Sequence, residues 1–377
     1  GSREAATGLL VAVMAAGAIA CGSAEKSPPG AGGMGAGGSN APEDDGARVY
    51  VGARVPGGES IELRVEGARL VEVGSEVSRS KAEVIDVTDQ WVTPAFIEGH
   101  VHLTYYPVTA SLPATGIVAA LDLAAPLASL ESQPTEFTLL ASGPMITRTD
   151  GYPTQGWGSD GYGFEVETVS DAEKAVRDLV QLGADVIKVP LTGAPTLTAE
   201  QLEAIVRVAH EQDRLVVAHA LGDADALLAA EAGVDVLAHT PTEVLEAATI
   251  DAWSERVVIS TLGAFGASEA AVDNLARLHG AGARVIYGTD LGNSRTVGVS
   301  ASELEYLGRA GLSAAEILES ITSAPADVFG FADLGRLEVG REASFVFLER
   351  DPLVDISVLT TPSRVIAHGR EVRSPAP

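Results

Sequence analysis

Phe96-Ile97-Glu98-Gly99-His100-Val101-His102-Leu103 is the stretch from which the rest of the chain is read. It is a short apolar run carrying two histidines one residue apart. Side chains alternate along a strand, so His100 and His102 point to the same face. Two neutral imidazoles side by side can hold one metal ion. Two buried, hydrogen-bonded histidines without a metal would look the same, so the surrounding sequence has to decide.

Apolar strand candidates recur on either side of helical segments, at 96–102, 117–122, 137–141, 184–189, 214–219, 234–239, 256–261 and 284–289. Ser170-x-x-Glu173, Thr198-x-x-Gln201 and Ser313-x-x-Glu316 read as capping-box helix starts. Gly183, Gly233 and Gly282 read as helix stops. Eight strands with helical crossovers fit an α/β fold of the (β/α)8, or TIM barrel, type. A doubly wound open sheet is the structural alternative, but no Gly-x-Gly-x-x-Gly opens any unit. Shorter strand-like runs broken by glycines occupy both ends. They include Val49, Val51, Ile61, Leu63 and Val65 before the barrel, and Phe345-Val346-Phe347-Leu348 and Val365-Ile366-Ala367 after it. Neither end can bury much alone. The expectation is one small β-sandwich domain made from residues 47–93 and 335–377, with the barrel over 94–334. Antiparallel pairing is expected for the first block.

Several barrel strands carry a metal-competent side chain at or near their ends. Lys188 sits inside Asp185-Val186-Ile187-Lys188-Val189, where a charged ammonium would be costly to desolvate. Conversion to a carbamate that bridges two metals would relieve that cost; a salt bridge at the strand end would do so too. His219 ends Leu215-Val216-Val217-Ala218-His219, His239 ends Val234–His239, and Asp290 ends Val285–Asp290. Singly, each is an ordinary structural residue. Together, strands one, four, five, six and eight bring them to the C-terminal mouth of a barrel, where barrel enzymes keep their chemistry. Four histidines, a lysine and an aspartate match a two-metal hydrolytic site.

On these residues the chain resembles the amidohydrolase superfamily. The resemblance covers about residues 48–373, rests on His100-x-His102, Lys188, His219, His239 and Asp290 in the family's order, and extends to Val92–Gly99, Ser323–Ala326 and Gly335–Ala343. Gly183–Lys188 is similar to the carbamylated-lysine strand of the prolidase-like and imidazolonepropionase-related branch. The resemblance implies that His100, His102 and Asp290 hold one divalent metal, His219 and His239 a second, and the carbamate of Lys188 bridges them. Zinc is the expected metal. It further implies a hydroxide nucleophile between the metals and Asp290 as catalytic base, then acid. One-metal deaminases of the superfamily carry a glutamate soon after the fifth-strand histidine. Here that stretch is His219-Ala220-Leu221-Gly222-Asp223-Ala224-Asp225, which favours the binuclear hydrolase. A one-metal aminohydrolase and a non-catalytic small-molecule-binding lipoprotein remain the alternatives. His210 and His279 read as helix-end residues and His368 as a turn residue.

Substrate contacts are expected from the loops. Tyr105 and Tyr106 follow the first strand. A glycine-rich loop after the third holds Arg148, Asp150, Tyr152, Gln155, Trp157 and Tyr162, and suits a lid or pocket wall. Tyr105, Tyr152 and Arg295 are the substrate-binding candidates, Arg295 for a carboxylate.

The charge balance narrows the partners. Net charge is −27, with lysine only at positions 26, 81, 174 and 188, which argues against nucleic acid or an anionic membrane surface. The expected partner is a small-molecule substrate, and a homo-oligomer is left open. Cys21 is the single cysteine, so no intrachain disulfide forms. Leu9–Ala20 is an apolar run the length of a signal-peptide core, and Ala18-Ile19-Ala20-Cys21-Gly22 resembles a bacterial lipoprotein cleavage box. Residues 1–21 are therefore expected to be a signal peptide with lipidation at Cys21, and the Gly/Pro-rich 22–46 a flexible tether. The expected location is the cell envelope of a bacterium, periplasm or outer membrane, with membrane contact only through the lipid.

Overall fold

The computed structural model describes residues 46–131, 134, 135 and 137–372, which belong to one compact unit. The expected signal peptide, Cys21 and all of the tether but Gly46 lie outside the described residues. Among the described residues, no helix is long and apolar enough to cross a membrane.

The chain opens with β1 (Ala47–Arg54), β2 (Ser60–Glu66) and β3 (Arg69–Gly74), an antiparallel meander. β4 (Ala82–Asp86) then pairs with β1 in parallel, and β5 (Trp91–Pro94) meets the end of β1. This corrects the expectation of purely antiparallel pairing. The β2–β3 hairpin occupies one edge of β1, and the segment after Gly74 crosses back before β4 pairs. Arg64 pins that crossover, donating from Nη1 to the carbonyls of Ser78 (2.6 Å) and Ser80 (3.1 Å).

Parallel strands follow. β6 (Phe96–Val101), β7 (Ile117–Asp122) and β8 (Thr138–Ala141) form a three-stranded sheet. β9 (Met145–Arg148) and β10 (Gly163–Val166) pair in parallel, so the ends of the expected lid loop are ordered as a ribbon. β11 (Ile187–Pro190), β12 (Val216–His219), β13 (Val236–Leu237), β14 (Val257–Ile259) and β15 (Arg284–Ile286) form a five-stranded sheet in chain order. Finally β16 (Phe345–Leu348), β17 (Arg364–Ala367) and β18 (Arg370–Val372) return to the first sheet, β16 lying antiparallel to β5. Both chain ends therefore build one eight-stranded sheet. The pairing gives one connected sheet rather than two separate layers, because β5–β16 joins the N-terminal and C-terminal strands directly. It has its own core of Tyr50, Leu63, Val65, Leu70, Phe345 and Phe347, with Tyr50 and Phe345 edge to face at 5.3 Å.

All eight expected parallel strands occur, all but β7 shorter than the apolar run. The strand expected over 284–289 stops at Ile286, because side chains then take over the ladder. Gly288 N–H donates to Ser260 Oγ (3.3 Å) and Thr289 N–H to Glu98 Oε1 (2.8 Å). The edges of the two parallel sheets approach each other at both sides. Gly99 N–H donates to the Tyr287 carbonyl (3.1 Å), His102 N–H to that of Leu291 (2.7 Å), and Asp185 N–H to that of Ala141 (2.8 Å). Gly99 is required at its seam, since a Cβ there would lie 2.6 Å from the Tyr287 oxygen. Leu121, Val217, Val236, Ile259 and Ile286 pack together as a buried cluster inside these strands.

Helices α1 (Val169–Gln181), α2 (Ala199–His210), α3 (Asp223–Glu231), α4 (Ala247–Ala252), α5 (Glu269–Gly280), α6 (Ala301–Arg309), α7 (Ala314–Ile321) and α8 (Ser323–Phe329) complete the α/β pattern. The capping boxes at Thr198–Gln201 and Ser313–Glu316 form as expected. The first box is Thr168–Asp171, not Ser170–Glu173. Thr168 has the extended backbone an N-cap needs, whereas Ser170 is already inside the first turn. Gly183, Gly233 and Gly282 follow their helices at φ +104°, +87° and +96°, the left-handed exit that glycine adopts without strain.

Candidate metal centre

His100, in β6, and His102, one residue past its end, bring their rings together with centroids 5.0 Å apart. Each ring is oriented by the nitrogen that points away from the other groups. His100 Nδ1 lies 3.0 Å from the Ala238 carbonyl and His102 Nδ1 3.3 Å from that of Ala124. A carbonyl can only accept, so each Nδ1 carries a proton; His100, whose pKa is well below the ordinary value, keeps a free lone pair on Nε2, and His102 turns its Nε2 towards Asp290. Asp290 Oδ1 lies 3.0 Å from His102 Nε2 and 3.7 Å from His100 Nε2. One ligand atom from each of the three falls within 4.8 Å of the others. Asn293 Nδ2 donates to the other Asp290 oxygen at 3.0 Å.

His239 stacks obliquely on His100 (centroids 4.6 Å) and meets His219 edge-on at 4.7 Å. His219 closes β12 as expected. His102, His239 and Asp290 need correction, because they lie past the strands rather than on them. His239 is two residues beyond β13, where backbone bonds from Ala238 to Ala218 (2.8 Å) and Thr240 to Ser260 (3.2 Å) extend the strand direction. Asp290 is four residues beyond β15, at φ +53°. Lys188 is in β11, fully buried, and all six side chains are buried.

Burial lowers the pKa of His219 to about 3 and keeps His100 and His239 well below the ordinary imidazole value, with neighbouring cationic groups adding to the effect. All three are neutral at pH 7, the form that donates a lone pair. Burial also lowers Lys188 to about 7, against the pull of Asp290. Burial would raise Asp290, but His100 and His102 outweigh it and hold the carboxyl well below the usual range. Of the six side chains, His100 Nε2 and Lys188 Nζ are buried without hydrogen-bond partners, and buried Asp290 Oδ1 faces only the two imidazole nitrogens. Native proteins rarely leave such atoms unsatisfied unless something else binds them. Imidazole nitrogens and a carboxylate oxygen are the donor set that zinc prefers. The residues therefore fit divalent cations.

Aromatic side chains cover the group. Tyr152 stacks on His219 (5.3 Å, 26°), and its hydroxyl accepts from Trp157 Nε1 at 2.8 Å. Trp157 lies 5.5 Å from the His102 ring and 5.5 Å from Tyr105. Phe265 packs edge-on to His239 at 4.9 Å. Arg295 is at the rim, its guanidinium 4.5 Å from the Tyr106 ring centre and 5.7 Å from that of Tyr105. A surface cleft of about 440 Å³, lined by Leu215, Asp235, Arg256 and Val328 among others, sits by the opposite ends of the same strands and contains none of the six residues.

A model of the amidohydrolase family matches residues 109–372. The chain belongs to the amidohydrolase family. The matched span begins after His100 and His102, so those two rest on geometry rather than on the family match. Within the amidohydrolase fold, the chain resembles a Xaa-Pro dipeptidase with bound methionine (TM-score 0.76, 21% identity, covering 86% of this chain and 99% of that one). It also resembles Aspergillus niger ochratoxinase (TM-score 0.71, 21% identity, 88% and 97%). By sequence it is 30% identical to ochratoxinase of Aspergillus niger over 230 residues, 52% of this chain and 47% of that protein. It thus spans about half the length of the curated relatives it matches.

Sequence reading missed the residues that hold the group in place. Glu98 accepts from the backbone N–H of His100 (3.2 Å) and from both N–H and hydroxyl of Thr289 (2.8 and 3.1 Å), so one carboxyl ties the first strand to the segment carrying Asp290. Burial raises its pKa to about 8. An acidic residue in an otherwise apolar strand, two before His100, was the available signal. Asp122, at the end of β7, accepts from Leu103 and Ala124 N–H (3.1 and 3.4 Å), and burial raises it to about 6. Thr261 Oγ1 lies 2.9 Å from His239 Nδ1; no local pattern marked it. The remaining histidines each lie beside a carboxylate away from the site, His210 by Asp235, His279 by Glu316 and His368 by Glu342.

Proposed function

We propose that the protein is a binuclear metal-dependent hydrolase that cleaves an amide, cyclic amide or related carbonyl bond in a small molecule. The observation that carries this reading is the convergence of four buried imidazoles, an unpartnered buried lysine and a carboxylate at one end of the parallel strands. The two parallel sheets are read as one (β/α)8 barrel, supported by the hydrogen bonds at both seams. The sheet of the chain ends is read as a small sandwich-like domain curled over Tyr50, Phe345 and Phe347.

His100, His102 and Asp290 would hold one cation, and His219 and His239 a second. Bound there, zinc would supply an acidified water and a polarised substrate carbonyl. Lys188 Nζ, its pKa lowered to about 7, would add to the carbon of CO₂ and lose a proton, and the resulting carbamate oxygens would serve both cations. Asp290, one oxygen held by Asn293, takes a proton from the attacking water and delivers it to the leaving amine. Tyr152, whose oxygen is already engaged by Trp157, keeps its own proton to donate to the substrate carbonyl oxygen. Tyr105 and Arg295 line the rim, where Arg295 would pair with a substrate carboxylate. A dipeptidase among the fold neighbours supports a C–N bond as target.

Metal analysis and a hydrolysis screen test the reading together. The expected result is about two zinc ions per chain and chelator-sensitive hydrolysis of a dipeptide, N-acyl amino acid, cyclic amide or lactone. One ion with ammonia release would favour an aminohydrolase; two ions without turnover on any of these would favour a binding protein. A lipid-anchored location at the cell envelope is proposed from the Cys21 box alone. Absence of fatty-acid label on the intact chain would remove it.

A further inference from the structure

His239 depends on a residue 22 positions along the chain that is not itself a candidate ligand. Its Nδ1 faces Thr261 Oγ1 at 2.9 Å. Thr261 stands at φ +42°, ψ +30°, a left-handed conformation that a β-branched residue adopts only under strain. What holds it there is buried. Thr261 N–H donates to the Gly288 carbonyl (3.1 Å), and the next two amides, Leu262 and Gly263, donate to the two oxygens of Glu303, each at 2.8 Å. Glu303 is 1% exposed and lies in the first turn of α6. That turn is itself fixed, because Ser300 N–H donates to the Tyr287 hydroxyl at 2.7 Å and Glu303 N–H to Ser300 Oγ at 3.3 Å. The same short turn, Leu262–Phe265, carries Phe265 onto the His239 ring.

We infer that Glu303 is a positioning residue: its carboxylate clamps the strained Thr261 turn, and Thr261 in turn holds His239 in the Nδ1-protonated tautomer with Nε2 facing the metal centre. A carboxylate suits this task because one planar group accepts two adjacent amides at once. Glutamine offers one acceptor and turns an N–H₂ towards the second amide. The inference rests on the binuclear reading only for its consequence, namely that affinity for the ion on His219 and His239 depends on Glu303.

The test uses the full chain, ¹⁵N-histidine labelled and chelator-treated, with His239 assigned by its absence in a His239→Gln variant. In the wild type, His239 should show the Nδ1–H tautomer. Thr261→Ala and Glu303→Gln should each shift it towards Nε2–H, and Thr261→Ser should retain the wild-type pattern. Zinc titration of the same samples against a chromogenic chelator should show the second ion weakened about 10–100-fold in Thr261→Ala and Glu303→Gln, as for loss of a partner that orients a ligand. The double variant should be no weaker than Thr261→Ala, because both act through one contact. An unchanged His239 tautomer in folded Thr261→Ala overturns the inference, as do losses that multiply in the double variant. Should Glu303→Gln not fold, the Thr261→Ala and Thr261→Ser pair still decides. A wild type with the expected tautomer shifts but only one ion would sink the binuclear reading and leave the clamp standing.

Discussion

Lys188→Met, in metal-free protein and CO₂-free buffer, exposes what the central lysine costs the fold. Methionine has a similar length, no charge and no need of a partner. In the folded chain Lys188 is fully buried, its amine has no hydrogen-bond partner, and its pKa is lowered from the ordinary 10.5 to about 7. The unfolded chain therefore binds this proton more tightly than the folded one, and stability rises with pH across the window from about 7 to 10.5. The penalty is greatest below pH 7 and gone above 10.5. Those two values make it about 4 kcal/mol at pH 7 and about 2 kcal/mol at pH 9, both upper estimates. Chemical denaturation at the two pH values measures it as the wild type minus Lys188→Met difference, which cancels the groups common to both. Lys188→Met should be the more stable at pH 7, with its advantage halved by pH 9. The same variant should lose metal binding. Parallel stability curves between pH 7 and 9 would refute the reasoning, because the lysine would then be paired or hydrated rather than held as a buried amine.

Further perturbations probe the surrounding groups. Tyr152→Phe keeps the ring on His219 but removes the hydroxyl; metal content should be unchanged while kcat/KM falls by about 10–100-fold, measured on whichever substrate the screen yields. Asp122→Asn removes a buried carboxyl whose pKa is raised to about 6. Its stabilising protonation is complete below about 3.8 and lost as pH rises through 6, so the wild type should lose up to about 3 kcal/mol across that window relative to Asp122→Asn. Denaturant midpoints at pH 4 and 7 check this. Gly99→Ala forces a Cβ to 2.6 Å from the Tyr287 oxygen at the seam between sheets, and should cost about 1–3 kcal/mol in a thermal or chemical melt; a neutral result would show that the seam is loose.

Much of the scaffold was legible locally. Strand positions followed from short apolar runs, three of them preceded by the helix-stop glycines Gly183, Gly233 and Gly282, and such patterns are short-range properties that a linear reading captures. Two of three capping boxes formed at the named residues. The third slipped by two, because Thr168 and Ser170 each begin an acceptable box and only the backbone angle at Thr168 separates them. The parallel pairing of β4 with β1 was not legible, since a strand's direction relative to its neighbour depends on how the intervening chain crosses. The end of β15 was overestimated for a similar reason: after Ile286 the Tyr287 amide goes to the Ser320 carbonyl and those of Gly288 and Thr289 to the side chains of Ser260 and Glu98, all remote in sequence.

Residue order alone determined which groups are available for chemistry, because the histidine pair, the lysine in an apolar run, the two further histidines and the aspartate, each ordinary singly, recur at or near the ends of successive apolar runs. Their electrostatic state was decided only by tertiary structure. Neutral imidazoles, a lysine titrating near pH 7 and a low-pKa aspartate all arise from burial and mutual proximity of segments up to about 190 residues apart. The supporting carboxyls of Glu98 and Glu303 belong to that second category, since what each holds is an amide that only the folded chain brings within reach.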